Sequence, residues 1–165
     1  MRTIRRNIFE TNSSSTHSIC ITDQDENIKF PKSVNFKFGK FGWEFDNYVD
    51  TEDKASYLYT AIFECYGQKG ASEKIQIIKD ALDKKGIEYE FEEPKFDEYG
   101  LSSDFGYIDH GYETKEFVDA VLDSDDRLYR YLFSYYSYIL TGNDNSMLNV
   151  DIKADYPHEE FYKGN

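Results

Sequence analysis

Short apolar runs bounded by polar clusters mark the first part of the chain, and they predict strands. Residues 18–22 form one such run, and residues 34–38 alternate between apolar and polar side chains before a pair of glycines. Residues 3–9 are rich in residue types that favour strands. We expect these three segments to build a small antiparallel sheet, with the polar block 11–17 as the loop between the first two strands.

Further along the chain, apolar side chains recur at spacings of three and four residues, which predicts four helices. Thr51 is expected to cap the first helix and Gly67 to end it. Ser72 is expected to cap the second helix, and the third and fourth follow Thr114 and Ser124. The predicted spans are 51–67, 72–86, 114–122 and about 126–140, the last of them ended by a turn at 141–145.

Two more strands complete the predicted order. Residues 87–92 alternate with a period of two and stop before a proline, and residues 147–152 suggest a final strand. A long acidic loop is expected over residues 95–112. This order indicates the α+β class, with a small antiparallel sheet packed against about four helices in a single domain, residues 1–154. We expect the remainder, residues 155–165, to be a partly mobile tail.

Composition narrows the class of protein. A chain of 165 residues and 19.4 kDa is long enough for one hydrophobic core, and an aromatic content of 18% argues against disorder. The two cysteines, Cys20 and Cys65, lie far apart in apolar surroundings, which disfavours a disulfide framework and a thiolate metal site. The chain has no long apolar run and no signal-like leader, so we expect a soluble protein of the cytosol that does not contact the membrane.

The negative charge is concentrated in one segment. Residues 88–126 hold fourteen acids against Lys95 and Lys115, so this segment carries −12 of the net charge of −13. Such a field repels nucleic acid and attracts basic grooves. Two interpretations follow from it. The segment is either a solubilising surface or a nucleic-acid mimic that occupies the basic channel of a nuclease.

Hydroxyl, amide and imidazole side chains are concentrated in the block from Thr11 to His17, behind three arginines. A second histidine, His110, follows Asp109. Two histidines brought together serve as base and acid in the cleavage of an RNA phosphodiester without a metal, while arginine, asparagine and serine groups hold the phosphate. The candidate site consists of the catalytic residues His17, His110 and Asp109 and the substrate-binding residues Arg5, Arg6, Asn12, Ser13, Ser14, Ser15, Asn143 and Asp144.

Structural roles for the same residues compete with this interpretation. The serine block is also typical of a turn whose hydroxyls satisfy buried backbone groups, with His17 hydrogen-bonded into the sheet. A serine hydrolase is disfavoured because the chain has no Gly-x-Ser-x-Gly elbow. Metal binding by His17, His110, Asp109 and Asp144 lacks a diagnostic spacing, and no phosphate-binding glycine motif is present. We therefore expect neither a metal nor a cofactor.

Three blocks of the chain resemble one known family. The first is the run Arg5-Arg6-Asn7-Ile8-Phe9-Glu10-Thr11-Asn12-Ser13-Ser14-Ser15-Thr16-His17-Ser18, the second is Ile108-Asp109-His110, and the third is Thr141-Gly142-Asn143-Asp144-Asn145. The chain is similar in these blocks to small, mostly uncharacterised proteins encoded by phages and mobile elements of Gram-positive bacteria. Together the blocks cover under a fifth of the sequence.

The resemblance implies an accessory protein that acts against bacterial immunity. Small acidic proteins of this origin include anti-CRISPR proteins, which block a CRISPR effector nuclease or damage its guide RNA. The implied partner is a basic nucleic-acid-binding protein of the host cytosol, or the guide RNA that it carries. Three hypotheses stay open: binding or cleavage of guide RNA at the Ser/His site, charge mimicry by a non-enzymatic inhibitor, and a structural or regulatory phage protein.

Overall fold

The computed structural model describes residues 15–23, 27–98, 100–143 and 158–163. Its strands are, in chain order, β1 Ser15–Thr22, β2 Ser33–Phe36, β3 Lys40–Phe41, β4 Asp46–Tyr48, β5 Glu88–Phe91, β6 Phe96–Asp97, β7 Gly100–Leu101, β8 Tyr107–Ile108, β9 Tyr138–Asn143 and β10 His158–Lys163. Its helices are α1 Thr51–Lys85, α2 Lys115–Val121 and α3 Asp125–Phe133, and a short 3-10 helix, Gly111–Thr114, leads into α2.

A four-stranded antiparallel sheet joins the first and last strands of the described chain. Its strand order is β10-β1-β9-β4, and in β1 Ile19 pairs with Phe161 on one side and with Ile139 on the other. Three smaller sheets pair β2 with β5 in parallel, β3 with β8 in parallel, and β6 with β7 antiparallel. The α+β class is confirmed, with about three helices in place of four and with minor sheets beside the antiparallel one.

The two helices predicted between Thr51 and Gly86 form one helical run with a break. Asp50, rather than Thr51, is the N-terminal cap residue, and the Thr51 hydroxyl donates to the Leu132 carbonyl. The run ends as predicted at Gly86, whose left-handed backbone brings its N–H to the carbonyls of the last turn. Gly67 lies inside the run with φ 61° and ψ −173°, a combination that glycine alone adopts readily. The predicted stop at Gly67 is therefore a break in the helix rather than its end.

We expect Gly67→Ala to lower the free energy of unfolding by about 1–3 kcal/mol through backbone strain. A Cβ at Gly67 would meet nothing within 4 Å, so steric overlap does not contribute. Gly86→Ala, at φ 66° in the ordinary left-handed region, is the matched control and is expected to cost about 1 kcal/mol. Urea unfolding of both variants measures the difference. A Gly67→Ala variant as stable as the wild type would contradict the assigned break.

The largest departure from the predicted elements follows α3. The aromatic pattern predicted a helix over residues 126–140, whereas α3 ends at Phe133 and Ser134 is extended. Tyr138–Asn143 is instead β9, the strand between β1 and β4. Four consecutive residues of β9 are buried, so the strand lacks the polar and apolar alternation that distinguishes a strand from a helix in sequence.

At both ends of the described chain, residues predicted in a loop or a tail lie in strands of the sheet. Residues 15–17, predicted in a loop, begin β1 and pair with Asn143, Gly142 and Thr141 of β9. Within the predicted tail, His158–Lys163 is the edge strand β10, because its backbone pairs in register with β1. The strands predicted at 3–9 and 147–152 lie outside the described residues.

The hydrophobic core surrounds the first half of α1 and is rich in tyrosine. Tyr57, Tyr59 and Tyr131 are among the largest fully buried side chains. The Tyr59 hydroxyl donates to the Glu92 carbonyl at 2.8 Å, and the Tyr131 hydroxyl donates to the Lys54 carbonyl at 2.7 Å. These bonds let large rings enter the core without leaving their hydroxyl groups unsatisfied.

Candidate functional site

His17 is a buried residue of β1 whose side chain bonds to α1 and to the loop after β3. Its side chain is 0% exposed, its Nε2 lies 2.9 Å from the Gly42 carbonyl oxygen, and its Nδ1 lies 2.7 Å from the Tyr57 hydroxyl. Since a carbonyl only accepts, Nε2 carries the hydrogen of the neutral imidazole, and Nδ1 then accepts from the Tyr57 hydroxyl. Burial raises the pKa of Tyr57 well above its usual value, so the phenol keeps the proton that it donates. Both ring nitrogens are therefore engaged within the protein.

Three side chains of the sheet hold three consecutive carbonyls of the loop at residues 42–45. His17 donates to Gly42, Thr141 Oγ1 donates to the Glu44 carbonyl at 2.7 Å, and Asn143 Nδ2 donates to the Trp43 carbonyl at 3.4 Å. Residues 42–45 are not part of a strand, so no backbone ladder fixes them, and these side-chain donors take its place for three of their carbonyls. The polar residues singled out in β1 and β9 thus fix the backbone of this loop.

Ser15 and Asp109 meet at the same end of the sheet. Ser15 is buried, and its Oγ donates to the Asp109 carbonyl at 3.3 Å. The Asp109 N–H donates to the Phe41 carbonyl at 2.9 Å and extends the pairing of β3 with β8. Asp109 therefore joins this assembly through its backbone rather than by orienting a histidine ring of β1.

His110 lies at the surface at the start of the 3-10 helix. Its side chain is 42% exposed, and its backbone is left-handed with φ 54°. The imidazole lies 3.9 Å from carboxylate oxygens of Asp109 and Glu113 and stacks on Tyr112. His17 thus lies in the core, bonded on both nitrogens, whereas His110 is open to solvent.

The structure brings together part of the predicted site. Three of its residues bond to the segment at residues 41–43: Asp109 to Phe41, His17 to Gly42 and Asn143 to Trp43. Ser15 joins them through its hydrogen bond to Asp109. The predicted site residues that lie outside the described part of the chain are Arg5, Arg6, Asn12, Ser13, Ser14 and Asp144.

Sequence reasoning missed the loop that these residues hold. Trp43 and Phe45 are 54% and 63% exposed, and Glu44 and Asp46 beside them are also exposed. Acids continue through Asp50, Glu52 and Asp53 with no lysine or arginine from residue 43 to residue 53. The signal in the sequence is the single tryptophan of the chain, placed in an alternation of aromatic and acidic residues.

No group of three or more histidine, cysteine or carboxylate side chains in the described residues is placed to hold a metal ion. Cys20 and Cys65 are both free, and burial raises the pKa of both thiols, that of Cys20 to about 12. Within the same residues, no helix has both the length and the apolar composition needed to cross a bilayer.

Comparison with protein-family models, curated proteins and solved structures finds no match to this chain.

Proposed function

We propose that this protein is an anti-defence inhibitor of the anti-CRISPR kind, which occupies a basic nucleic-acid-binding groove of a host CRISPR effector nuclease without cleaving its guide RNA. The observation that carries the proposal is an acidic surface segment at residues 43–53 with no cation of its own. The resemblance of three sequence blocks to phage and mobile-element proteins supplies the biological setting.

The acidic segment has no compensating cation at the surface of the described part of the chain. Its carboxylates take part in no ion pair among the described residues, and the next cation in sequence, Lys54, is 1% exposed. Lys54 Nζ donates to the Ser134 and Ser137 carbonyls at 2.6 and 3.0 Å, so this ammonium group is used inside the fold. The acids of this segment that are exposed are Glu44, Asp46, Asp50, Glu52 and Asp53.

Mutual repulsion within this segment favours a cationic partner. Partial desolvation at the helix surface raises the pKa of Asp53, and the negative charges of Asp50, Asp46 and Glu52 raise it further. A basic groove that approaches these carboxylates relieves the repulsion and steers the encounter at long range.

The acidic segment at 88–126 is only partly neutralised. Asp119 pairs with Lys74 and Lys115, and Asp125 and Asp126 pair with cations of α1 and α3. By contrast, Glu88 and Glu90 lie exposed on β5, with no ion pair in the described residues, while the alternate residues of that strand pack toward the core. These exposed carboxylates supply a second acidic surface for a large basic partner.

The environment of His17 supports inhibition by occupancy rather than by chemistry. A general base must reach the proton that it removes from a substrate, and a general acid must reach the leaving group. Both nitrogens of His17 are instead bonded to Tyr57 and Gly42 below the surface. In this arrangement neither nitrogen is available to an RNA phosphodiester.

Inhibition is expected to weaken steeply with salt and to leave guide RNA intact. Purified effectors of several CRISPR types, each loaded with guide RNA, are mixed with the protein and a cognate DNA target. DNA cleavage and guide RNA are followed on denaturing gels between about 50 and 300 mM salt, a range over which phosphate-like contacts lose most of their strength. Guide RNA cut by the purified wild type would overturn the non-enzymatic mechanism.

A charge variant tests the acidic segment at 43–53 directly. The substitutions Glu44→Gln, Asp46→Asn, Glu52→Gln and Asp53→Asn together are expected to weaken inhibition at least about tenfold, because four charges that form no ion pair within the described residues are lost. Asp50 is left unchanged because it is the cap residue of α1. The control, Asp125→Asn with Asp126→Asn, removes carboxylates that already have partners and is expected to inhibit like the wild type. Full inhibition by the fourfold variant at every salt concentration would contradict the proposal.

A further inference from the structure

Trp43 and Phe45 are exposed aromatic side chains that do not pack on the hydrophobic core of the described residues. Aromatic rings pack against one another through much of the described fold, and within the described residues neither Trp43 nor Phe45 takes part in such a pair. By comparison, the exposed Tyr112 contacts His110, and the exposed Tyr135 contacts Tyr136. Large apolar side chains at the surface without an internal role are typical of interaction sites.

The backbone that carries these rings is fixed before any partner arrives. The carbonyls of Gly42, Trp43 and Glu44 are each held by a side chain of β1 or β9, and Asp46 begins the paired strand β4. An ordered loop loses less conformational freedom on binding than a disordered one. The polar residues of the sheet therefore prepare residues 43–46 for contact with another molecule.

The order of groups along this loop matches the features of a nucleic acid strand. A nucleic acid presents flat aromatic bases next to anionic phosphates, and its binding proteins meet them with stacked aromatic or arginine side chains and with cationic contacts. Residues 43–46 present an indole, a carboxylate, a phenyl ring and a second carboxylate in succession. Arginine is the side chain best suited to both kinds of group, since its guanidinium stacks on aromatic rings and pairs with carboxylates.

We propose that residues 43–46 form the anchor of this protein on its partner and that the anchor enters an arginine-lined channel for single-stranded nucleic acid. Trp43 and Phe45 take the place of bases, and Glu44 and Asp46 take the place of phosphates. This inference rests on the proposed function, because it names the part of the inhibitor that fills the basic groove. The acids at 50–53 then lie against the cationic rim of the channel.

The first test removes the rings and keeps the charges. Trp43→Ala with Phe45→Ala is expected to weaken inhibition of the sensitive effector at least about tenfold, as the loss of interface aromatic anchors does. The control, Tyr112→Ala with Tyr135→Ala, removes two other exposed aromatics and is expected to inhibit within about twofold of the wild type. Both variants should keep the wild-type melting temperature, because the replaced rings contribute little to the core.

The second test uses the single tryptophan as a probe and needs no effector. The fluorescence of wild-type Trp43 is titrated with tryptophan-free nona-arginine and nona-lysine peptides of equal charge. We expect a saturable change with both and at least about threefold tighter binding of the arginine peptide, because lysine provides charge without a planar stacking group.

The outcomes separate this inference from the proposed function. Equal inhibition by the wild type and by the Trp43→Ala, Phe45→Ala variant contradicts the assignment of residues 43–46 as the anchor. The proposed function is unaffected by that result. If the wild type inhibits no effector of the panel, the proposed function fails. The fluorescence titration then shows by itself whether residues 43–46 prefer arginine to lysine. No saturable change in Trp43 fluorescence, or equal binding of the two peptides, overturns the anchor.

Discussion

His17→Ala is expected to lower the free energy of unfolding by about 3–5 kcal/mol, the largest effect of any single substitution at the candidate site. The change leaves a cavity where a fully buried imidazole stood, and it removes the hydrogen-bond partners of the Gly42 carbonyl and the Tyr57 hydroxyl. For a chain of this length, that loss corresponds to a fall of about 10 °C in melting temperature. Urea unfolding and thermal melting measure it.

Two variants show whether the effect comes from the buried contact. His110→Asn replaces an exposed histidine with a residue that tolerates its left-handed backbone, and it is expected to change stability by no more than about 0.5 kcal/mol. Tyr57→Phe removes the hydroxyl that donates to Nδ1 and is expected to cost about 1–3 kcal/mol. If His17→Ala kept full stability and lost inhibition, His17 would act on a ligand, and its structural assignment would be wrong.

Lys54→Met is expected to destabilise the protein by about 2–4 kcal/mol, although methionine preserves most of the apolar stem. Lys54 lies 1% exposed near the start of α1, and its Nζ donates to the carbonyls of Ser134 and Ser137. These carbonyls belong to the segment between α3 and β9, where the chain changes from helix to strand. Without the ammonium group they are left short of a donor, and the position of β9 relative to α1 is weakened.

The matched control for Lys54 is a surface lysine of the same helix. Lys84 pairs with Asp125 at 2.6 Å, and its side chain is 61% exposed, so Lys84→Met is expected to destabilise the protein clearly less than Lys54→Met. Chemical denaturation of both variants gives the comparison. Similar losses in the two would mean that the buried contacts of Lys54 contribute no more than an exposed ion pair.

Local signals in the sequence predicted several elements well because those elements end at distinctive residues. Gly86 ends α1 with a left-handed backbone, Ser124 caps α3 by accepting from the Arg127 N–H, and β5 lies within the predicted strand. These helix ends and this strand are each determined by residues close together in the chain. The class of the fold followed from their order.

The identity of β9 could not be predicted in this way. Tyr138, Ile139 and Leu140 continue the aromatic and apolar spacing of α3, so the local pattern favoured a longer helix. The decisive interactions are long-range, since both edges of β9 pair with strands remote in sequence, β1 and β4. Burial of successive residues removed the one local feature that separates a central strand from a helix.

At the candidate site too, the sequence indicated which residues were unusual but not which groups they contact. The polar blocks at residues 15–17, 109–110 and 141–143 stood out because small polar and imidazole groups are poor core material. Their hydrogen-bond partners could not be predicted, because they are backbone carbonyls of another loop, and every residue type has a carbonyl. The blocks were therefore visible in the sequence, whereas their role of holding the 42–45 loop required the structure.

The place of β1 in the sheet has a consequence for how the protein is made in the cell. This strand is the first of the described strands to leave the ribosome, and its two neighbours, β9 and β10, are the last of them to be synthesised. Contacts so remote in sequence form slowly, and unpaired strand edges are prone to aggregation while they wait. The four-stranded sheet is thus completed only after residue 163 has been translated, and translation products that stop before β9 carry β1 without either of its neighbours.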